Sequence, residues 1–177
     1  MDRYEGFREF VAARGGALSR SAYLLTGDHQ LAEDLLQTAL ARTAAHWRRV
    51  AAGDPEAYVR RAMINERTSW WRRRRSGVEV PAGVGVLDSR PVRSVADASE
   101  TVLRRMTLTA ALARLPARQR AVIVLRFFDD LSEAATADVL GCSIGTVKSQ
   151  AHDALARLRA LAPELLSDSL ASPEVNP

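Results

Sequence analysis

Apolar residues near the C-terminal end of the chain recur at steps of three and four, which places their side chains on one face of a helix. They are Ile144, Val147, Ala151, Leu155 and Leu158. Ser143 comes directly before this helix, and a shorter helix is expected between Ser132 and Gly141. Because serine caps helix N-termini and glycine ends helices, the pattern predicts two helices joined by a short turn.

Two helices joined in this way form a helix-turn-helix, whose second helix can enter the major groove of DNA. The same arrangement also occurs as plain packing in all-α domains. Polar side chains beside the apolar stripe favour a DNA-reading helix, since they can reach phosphates and base edges. They are Thr146, Lys148, Ser149, Gln150 and His152. The sole cysteine, Cys142, excludes an intrachain disulfide, and its place in the turn favours a packing role over a reactive thiol.

Two further helices are predicted before this motif. Residues 102–115 form an amphipathic helix that ends before Pro116, and Pro116 begins another helix. The apolar run 121–125, followed by Phe127 and Phe128, is expected to form a second core that seats the helix-turn-helix.

The first half of the chain also reads as helical. A helix is expected over residues 3–26, broken or bent at Gly15 and Gly16 and ended by Gly27. Asp28 then caps a second helix that extends to about residue 50. Its early surface is acidic, with Asp28, Glu33 and Asp34. These carboxylates either complement the helix dipole or form a docking face for a basic partner helix.

Asp54 and Pro55 give a strong start signal for a third helix. Seven arginines lie between residues 60 and 75, with aromatic residues among them. Such runs are often only solvated, but rings beside guanidinium groups are also what single-stranded bases stack on. In a chain that already has a candidate DNA reader, nucleic-acid contact is the favoured interpretation.

The stretch 77–100 has no helical periodicity and is rich in glycine, proline and serine, which predicts a flexible linker. The fold class is therefore all-α, with two small helical domains: residues 1–76, the linker 77–100, residues 101–163 and a tail 164–177. The net charge of +4 favours a polyanionic partner. No apolar run is long enough to span a bilayer and the N-terminus does not resemble a signal peptide, so we expect a cytoplasmic protein that does not enter membranes.

No catalytic constellation appears in the sequence. His29, His46 and His152 lie far apart without ligands at metal-binding spacing, and no glycine-rich phosphate loop or nucleophile motif occurs. We therefore expect neither an enzyme nor a resident metal or cofactor.

At the level of motifs, the chain resembles bacterial RNA polymerase sigma factors of the extracytoplasmic-function (ECF) group, sigma-70 family, of a type common in actinobacteria. AEDLLQTALARTAAHW looks like the family's AEDLVQETFLRAW segment, and AYVRRAMINERTSWWRRRR looks like its WLYRIARNLAIDLLRRRR segment. LARLPARQRAVIVLRFFDDLS and ADVLGCSIGTVKSQAHDALARLR resemble the pattern of sigma domain 4. The motifs together cover both halves and are specific in their order and spacing.

The resemblance implies that residues 1–76 are sigma domain 2 and residues 101–163 are sigma domain 4. The partners it implies are core RNA polymerase (the β′ clamp coiled coil and the β flap), promoter DNA and, in some relatives, an anti-sigma factor. The polymerase-binding residues would be Asp28, Glu33, Asp34 and Gln37. The residues at the melted −10 element would be Asp54, Arg60, Arg61, Asn65, Trp70 and Arg72. The residues at the −35 duplex would be Thr146, Lys148, Ser149, Gln150 and His152.

The chain departs from the family pattern at a few of these positions. Gln150 and Asp153 stand where many relatives have arginine, so −35 contact is expected to be weaker or shifted. Thr136 replaces a large aliphatic residue, which is expected to loosen the seat of the recognition helix. Thr38 stands where glutamate is common, which leaves more of the docking charge to Asp34.

Two other function classes fit parts of the sequence. A dimeric helix-turn-helix regulator of the response-regulator output type would share the second half, but the first half has no alternation of strands and helices typical of a receiver domain. A non-transcriptional RNA-binding module would share the arginine-rich helix and should prefer RNA to promoter DNA.

Overall fold

The computed structural model describes the backbone of residues 4–75 and 96–163, and the side chains of residues 4–69 and 102–163. Over these residues every regular element is helical, which confirms the predicted fold class. The first half comprises α1 (Phe7–Thr26), α2 (His29–Ala45), α3 (Trp47–Val50) and α4 (Pro55–Arg75). The second half comprises α5 (Ala96–Arg114), α6 (Ala117–Ile123), a π-helical turn (Val124–Phe128), α7 (Glu133–Leu140) and α8 (Ile144–Leu161).

The first half has its own apolar core, formed where α1, α2 and α4 meet. Its fully buried residues include Leu18, Leu35, Val59 and Met63. Alanines at the crossings, such as Ala22, allow the helices to approach closely. Burial of these apolar side chains is the main source of stability for the half, at about 25 cal/mol per Å² removed from water.

The boundary between α1 and α2 follows the predicted signals. Gly27 lies in the left-handed region with φ 75° and ends α1, and its N–H donates to the Tyr23 carbonyl. Asp28 caps α2, because its Oδ1 accepts a hydrogen bond from the Leu31 N–H at 2.8 Å. Both signals are local, so the sequence was sufficient to predict them.

Of the break or bend expected at Gly15 and Gly16, the break is wrong, since α1 continues through both glycines. A glycine inside a helix costs about 1 kcal/mol relative to alanine. Packing of Leu18 and Ala22 against the core offsets that cost within the next two turns. Tertiary packing therefore overrides the local preference.

The second helix ends earlier than expected, at Ala45, and α3 begins at Trp47 after a break at His46. The break allows the Trp47 ring to pack edge-on against Phe7, with 5.2 Å between ring centroids. The indole Nε1 donates a hydrogen bond to the Glu5 carbonyl at 2.6 Å. These contacts of the buried Trp47 side chain explain why the chain leaves the axis of α2 at His46.

The second half has a core formed mainly by α5, α6 and α8, with Leu112, Ile123, Ala154 and Leu158 buried in it. The apolar run 121–125 is buried as predicted. The expectation that Phe127 and Phe128 complete this core is wrong, because their side chains are 50% and 42% exposed. The buried stretch ends inside the π-helical turn, whose smaller rotation per residue than in an α-helix changes the face on which the next side chains emerge.

The predicted apolar stripe of α8 is correct in its middle and wrong at its start. Val147 and Leu158 are buried and Ala151 and Leu155 are half-buried, whereas Ile144, the first residue of the helix, is 45% exposed. Ala154, which the stripe omitted, is fully buried. A small residue in a tight crossing gives little hydrophobic signal in the sequence.

The helix α5 begins at Ala96, inside the stretch that was predicted as a linker. Residues 76–95 and the tail 164–177 lie outside the described residues. The domain boundaries and the flexible linker therefore remain predictions.

The two halves also contact each other. The sequence predicted two separate helical domains and gave no sign of this contact. Leu25 of α1 is buried in one cluster with Ala121 and Val124 of the second half. Ile64 of α4 and Leu140 of α7 pack around this cluster. Each half thus keeps a core of its own, and a third apolar cluster joins the two halves side by side.

Candidate nucleic-acid interface

The predicted helix-turn-helix is formed by α7 and α8. The Ser132 Oγ accepts a hydrogen bond from the Ala135 N–H at 3.1 Å, and the Ser143 Oγ accepts one from the Thr146 N–H at 3.1 Å. Gly141 lies in the left-handed region with φ 61° and ends α7. The two caps and the glycine therefore fix where each helix begins and ends, as predicted from their sequence.

The outer surface of α8 carries the side chains that were predicted to read DNA. Val147 is fully buried, which turns its neighbours on the helix outward. Lys148, Ser149 and His152 are exposed, and Thr146 and Gln150 are half-buried. Asp153 is exposed on the same helix and places a negative charge beside these donors.

Short-range contacts hold several of these groups before any ligand binds. The Thr146 Oγ1 lies 2.9 Å from the Ser143 Oγ, and the Ser149 Oγ donates to the Thr146 carbonyl at 3.1 Å. The Lys148 Nζ lies 3.5 Å from a Glu133 carboxylate oxygen. Because both side chains of this ion pair are solvent-accessible, the pair is weak, and a phosphate could replace Glu133.

The seat of α8 includes a buried hydroxyl. Thr136 of α7 is fully buried, and its Oγ1 has no hydrogen-bond partner among the described residues. A buried hydroxyl without a partner costs about 1–3 kcal/mol. The looser seat that was expected from threonine at this position stays a prediction.

The sequence left two interpretations of the acidic residues of α2: they complement the helix dipole, or they form a docking face for a basic partner. Asp28 is half-buried and caps the helix, so its role in the helix start is clear. Glu33 and Asp34 lie beyond the first turn, where the helix dipole has little effect. Both are exposed, as is Gln37, one turn further along. An outward-facing acidic surface is what a basic partner would require.

The arginine-rich helix α4 begins as predicted, because the Asp54 Oδ1 accepts a hydrogen bond from the Ala57 N–H at 2.9 Å. Arg60 does not face solvent. Its guanidinium contacts the Glu56 carboxylate at 2.7 Å and donates from Nε to the Asp129 Oδ2 at 3.0 Å. Only 9% of the Arg60 side chain is exposed, so this residue lies between the two halves.

The other predicted −10 residues are distributed along α4. Arg61 is exposed and donates to the Asp138 carbonyl of α7 at 2.7 Å, and Asn65 is exposed as well. The backbone of α4 continues through Trp70 and Arg72, but their side chains lie outside the described residues. The structure thus brings Arg60 and Arg61 together at the contact between the halves.

Family models match both halves in the same order as the sequence motifs. Sigma-70 region 2 matches residues 10–77, and Sigma-70 region 4 matches residues 105–158. The chain is 47% identical over 154 residues to an RNA polymerase sigma-E factor of Streptomyces avermitilis, covering 86% of this chain and 83% of the relative. It is 35% identical over 164 residues to the ECF sigma factor SigL of Mycobacterium tuberculosis, covering 89% of each. The chain belongs to the ECF RNA polymerase sigma factors.

A solved structure agrees with the assignment of this chain to the sigma factors. It is the sigma factor RpoE of Bartonella quintana, in complex with the anti-sigma factor NepR. The two are 27% identical, with a TM-score of 0.65, and the match covers 89% of this chain and 97% of the other. Sigma factors are transcription initiation factors and not enzymes.

Sequence reasoning missed three residues of this sigma factor that join its halves. The Ser21 Oγ donates to the Asp129 Oδ1 at 2.5 Å, across 108 positions of sequence. Arg120 is buried and donates to the Leu25 carbonyl at 2.9 Å. The polar pair Gln119 and Arg120, which precedes an apolar run, was the only available signal, and nothing local marks Ser21 or Asp129.

Arg120 is accommodated by helix ends and not by a carboxylate. Its guanidinium donates to the carbonyls of Ala113 and Leu115 at the end of α5, and to that of Leu25 near the end of α1. These are carbonyls that helices leave unpaired at their negative ends. Burial lowers the pKa of Arg120, since the interior disfavours the charged guanidinium.

Arg67 of α4 is buried close to Arg120. Burial is the main reason that its pKa falls below its usual value, to about 10, and the positive charge of Arg120 lowers it further. Its one hydrogen bond among the described residues is a long one of 3.4 Å, to the Ala117 carbonyl. Two like charges are thus partly desolvated where the halves meet.

The described part of the chain contains no group of three or more histidine, cysteine, aspartate or glutamate side chains arranged to hold a metal ion. No helix in the same residues is long and apolar enough to cross a bilayer.

Proposed function

We propose that this sigma factor binds core RNA polymerase, recognises −35 and −10 promoter elements, melts the −10 region and directs transcription initiation. The observation that supports this most strongly is the match of sigma regions 2 and 4, in order, to halves that carry an acidic helix, an arginine-rich helix and a helix-turn-helix. The domain division 1–76, 77–100, 101–163 and 164–177 is part of the same proposal.

Polymerase binding is assigned to the acidic surface of α2. Glu33, Asp34 and Gln37 are exposed beyond the first turn and can meet the β′ clamp coiled coil, with Asp28 holding the start of the helix. The second half would contact the β flap. The proposed site of action is the cytoplasm, where core polymerase and the chromosome are found.

The −35 duplex is assigned to α8 through Thr146, Lys148, Ser149, Gln150 and His152. Lys148 supplies a positive charge for a phosphate, and the remaining polar groups can reach base edges. Asp153 on the same helix repels phosphates, which favours a shifted or weaker contact than in relatives with arginine there.

The −10 strand is assigned to α4 and its start, through Asp54, Arg60, Arg61, Asn65, Trp70 and Arg72. Unstacking a base costs a few kcal/mol, and stacking on aromatic or guanidinium groups returns about 1–3 kcal/mol per base. Capture of the single strand can therefore drive the opening of the duplex.

An anti-sigma factor is a proposed further partner. The Bartonella quintana relative was solved with one bound. A protein of this class would act by occupying surfaces that polymerase or DNA needs.

Run-off transcription with purified core polymerase tests the proposal directly. We expect specific transcripts from promoter DNA only when this chain is added, and mapped start sites should share −35 and −10 sequences. Co-purification with core polymerase in the absence of DNA should also be seen. Failure of both, with a footprint on palindromic duplex by the chain alone, would instead indicate a dimeric regulator.

A further inference from the structure

Three polar side chains are buried together where α4 meets the start of α6. They are Arg67 of α4 and Gln119 and Arg120 of α6, and these residues are 8%, 6% and 7% exposed. Arg67 reaches α6 by donating a hydrogen bond to the Ala117 carbonyl. The three side chains are here called the buried guanidinium cluster, and none of them is among the residues assigned to polymerase or promoter DNA.

The buried guanidinium cluster carries two positive charges without a negative one nearby. Among the described residues, no carboxylate lies within ion-pair distance of Arg67 or Arg120, whereas the buried Arg60 contacts both Glu56 and Asp129. The two guanidinium groups are close enough for the charge of Arg120 to lower the pKa of Arg67. Like charges that are buried together repel each other and lose hydration, so the cluster destabilises the contact between the halves unless an anion offsets its charge.

The cluster also has hydrogen-bonding groups that the described residues leave unused. Arg67 has five N–H donors, and its hydrogen bond to Ala117 is 3.4 Å long, beyond the usual range. The Arg120 Nε is buried without a partner in the described part of the chain. The Gln119 Oε1 is buried and unpaired in the same way, and rotation of this amide by about 180° would put its NH₂ group there instead.

The type of ligand follows from these groups. Water could accept the unused hydrogen bonds, but it would not offset two positive charges. An oxyanion does both, because its oxygens accept two parallel hydrogen bonds from a planar guanidinium fork. The ligand must also be small, since each residue of the cluster is at least nine-tenths buried.

We propose that the buried guanidinium cluster binds one small inorganic oxyanion of the phosphate type, held by Arg67 of the first half and by Arg120 and the Gln119 amide of the second half. Because the anion contacts both halves, it binds the packed arrangement in preference to separated halves and stabilises their contact by mass action. The site does not depend on the roles proposed for α2, α4 and α8 in transcription.

Isothermal titration calorimetry of inorganic phosphate into the full chain tests the site. We expect one phosphate per chain in the wild type. Arg67→Met should weaken the affinity by about tenfold or more, because it removes charge-assisted hydrogen bonds to the anion. Arg118→Met is the matched control, since Arg118 is an exposed arginine of the same helix as Gln119 and Arg120 and should leave the affinity unchanged.

Arg67→Met is expected to fold, because Arg67 makes only one long hydrogen bond to the described residues, and circular dichroism checks this. A second variant, Gln119→Leu, has a side chain of similar size without the amide and should also weaken phosphate binding. The assignment therefore does not depend on one arginine.

Energy transfer between dyes in the two halves tests the bridging role. The dyes are attached at the exposed positions Ala12→Cys and Ala160→Cys in a Cys142→Ser background. At constant ionic strength, phosphate should raise the urea concentration at which transfer is lost in the wild type and in Arg118→Met. It should raise it much less in Arg67→Met, which separates binding at the cluster from the general stabilising effect of phosphate.

Three results would overturn the proposal. The first is an absence of phosphate binding by the wild type at millimolar concentrations, and the second is equal affinity in the wild type and in folded Arg67→Met. The third concerns adenosine monophosphate, which carries the same group on a larger body and should bind more weakly than inorganic phosphate. Equally tight binding would mean that the anion is held at the exposed surface and not within the cluster.

Discussion

At the scale of single residues, Thr136 shows how one side chain can weaken a motif that is otherwise well built. Its hydroxyl is buried without a described partner, beneath the helix that is proposed to read DNA. Valine has nearly the same shape and no polar atom. The position is therefore one where a small change should stabilise the fold.

We expect Thr136→Val to raise the free energy of unfolding by about 1–2 kcal/mol, because it removes an unsatisfied buried hydroxyl without creating a cavity. Urea denaturation followed by circular dichroism measures the change. Thr43→Val is the matched control: Thr43 is equally buried, but its Oγ1 donates to the Ala39 carbonyl at 2.8 Å. The control should give no gain, and an unchanged midpoint for Thr136→Val would mean that its hydroxyl is satisfied.

Residues whose roles depend on neighbours in sequence were predicted well. Asp28, Ser132 and Ser143 cap helices because each side chain reaches an amide three positions further along. Ser21 and Asp129 were missed because their contact joins distant segments. No periodicity or local motif carries that information.

At the scale of elements, helix positions were easier to predict than the faces that helices bury. The starts of α2, α4, α7 and α8 followed their caps, whereas the exposure of Phe127 and Phe128 depends on a π-helical turn. The break at His46 likewise serves the packing of Trp47. The exposure of a side chain and the break in a helix both depend on contacts with residues that are distant in sequence.

The helix α8, which is proposed to bind the −35 duplex, gives a prediction about the salt dependence of DNA binding. Lys148→Ala should weaken binding of holoenzyme to promoter duplex at all −35 sequences alike and reduce the slope of log K against log salt by about 1, the value for one phosphate contact. Filter binding over a salt series measures it. Arg8→Ala removes one exposed charge from α1 and should leave the slope unchanged.

If Lys148→Ala leaves the slope as it was, the lysine does not contact a phosphate. A change confined to some −35 sequences would instead indicate contact with base edges.

The acidic helix α2 gives a prediction about polymerase. Glu33→Arg combined with Asp34→Arg should abolish co-purification with core polymerase, because an exposed surface of α2 changes sign, while circular dichroism should show unchanged helix content. Glu5→Arg with Glu9→Arg makes the same charge change at exposed positions outside α2 and should still bind. Normal binding by the α2 variant would contradict the docking assignment.

At the scale of the whole molecule, the sequence predicted two helical halves but not the contact between them. The arginines of α4 were assigned to an external polyanion, and the structure gives three of them internal acceptors. A guanidinium group does not indicate from sequence whether its partner belongs to the same chain. That ambiguity explains why the contact between the halves was not predicted.

The buried pair Arg67 and Arg120 makes the contact between the halves sensitive to charge. Arg67→Met should strengthen the contact between the halves by about 1–3 kcal/mol, because it replaces a desolvated cation with an apolar side chain of similar length. Energy transfer between dyes at the exposed positions Ala12→Cys and Ala160→Cys, in a Cys142→Ser background, should persist to higher urea concentration than in wild type. Earlier opening would show that the Arg67 charge stabilises the contact.

The same pair sets the direction in which the contact between the halves depends on pH. The pKa of Arg67 is about 10 when the halves are packed, because burial lowers it, and it should return toward its usual higher value when they separate, so the separated form binds more protons above pH 10. The contact between the halves should therefore strengthen as the pH rises through about 10. Arg67→Met should reduce this dependence, and an equal dependence in both proteins would assign it to another group.

Lys148 is the only lysine in the chain and is exposed on α8, next to Glu133. An acetyl donor or an amine-directed reagent would thus find one side-chain amine, within the surface assigned to the −35 duplex. Acylation there would remove the positive charge while Asp153 on the same helix stays negative. One covalent modification would in this way weaken the proposed contact with the −35 duplex without altering α2.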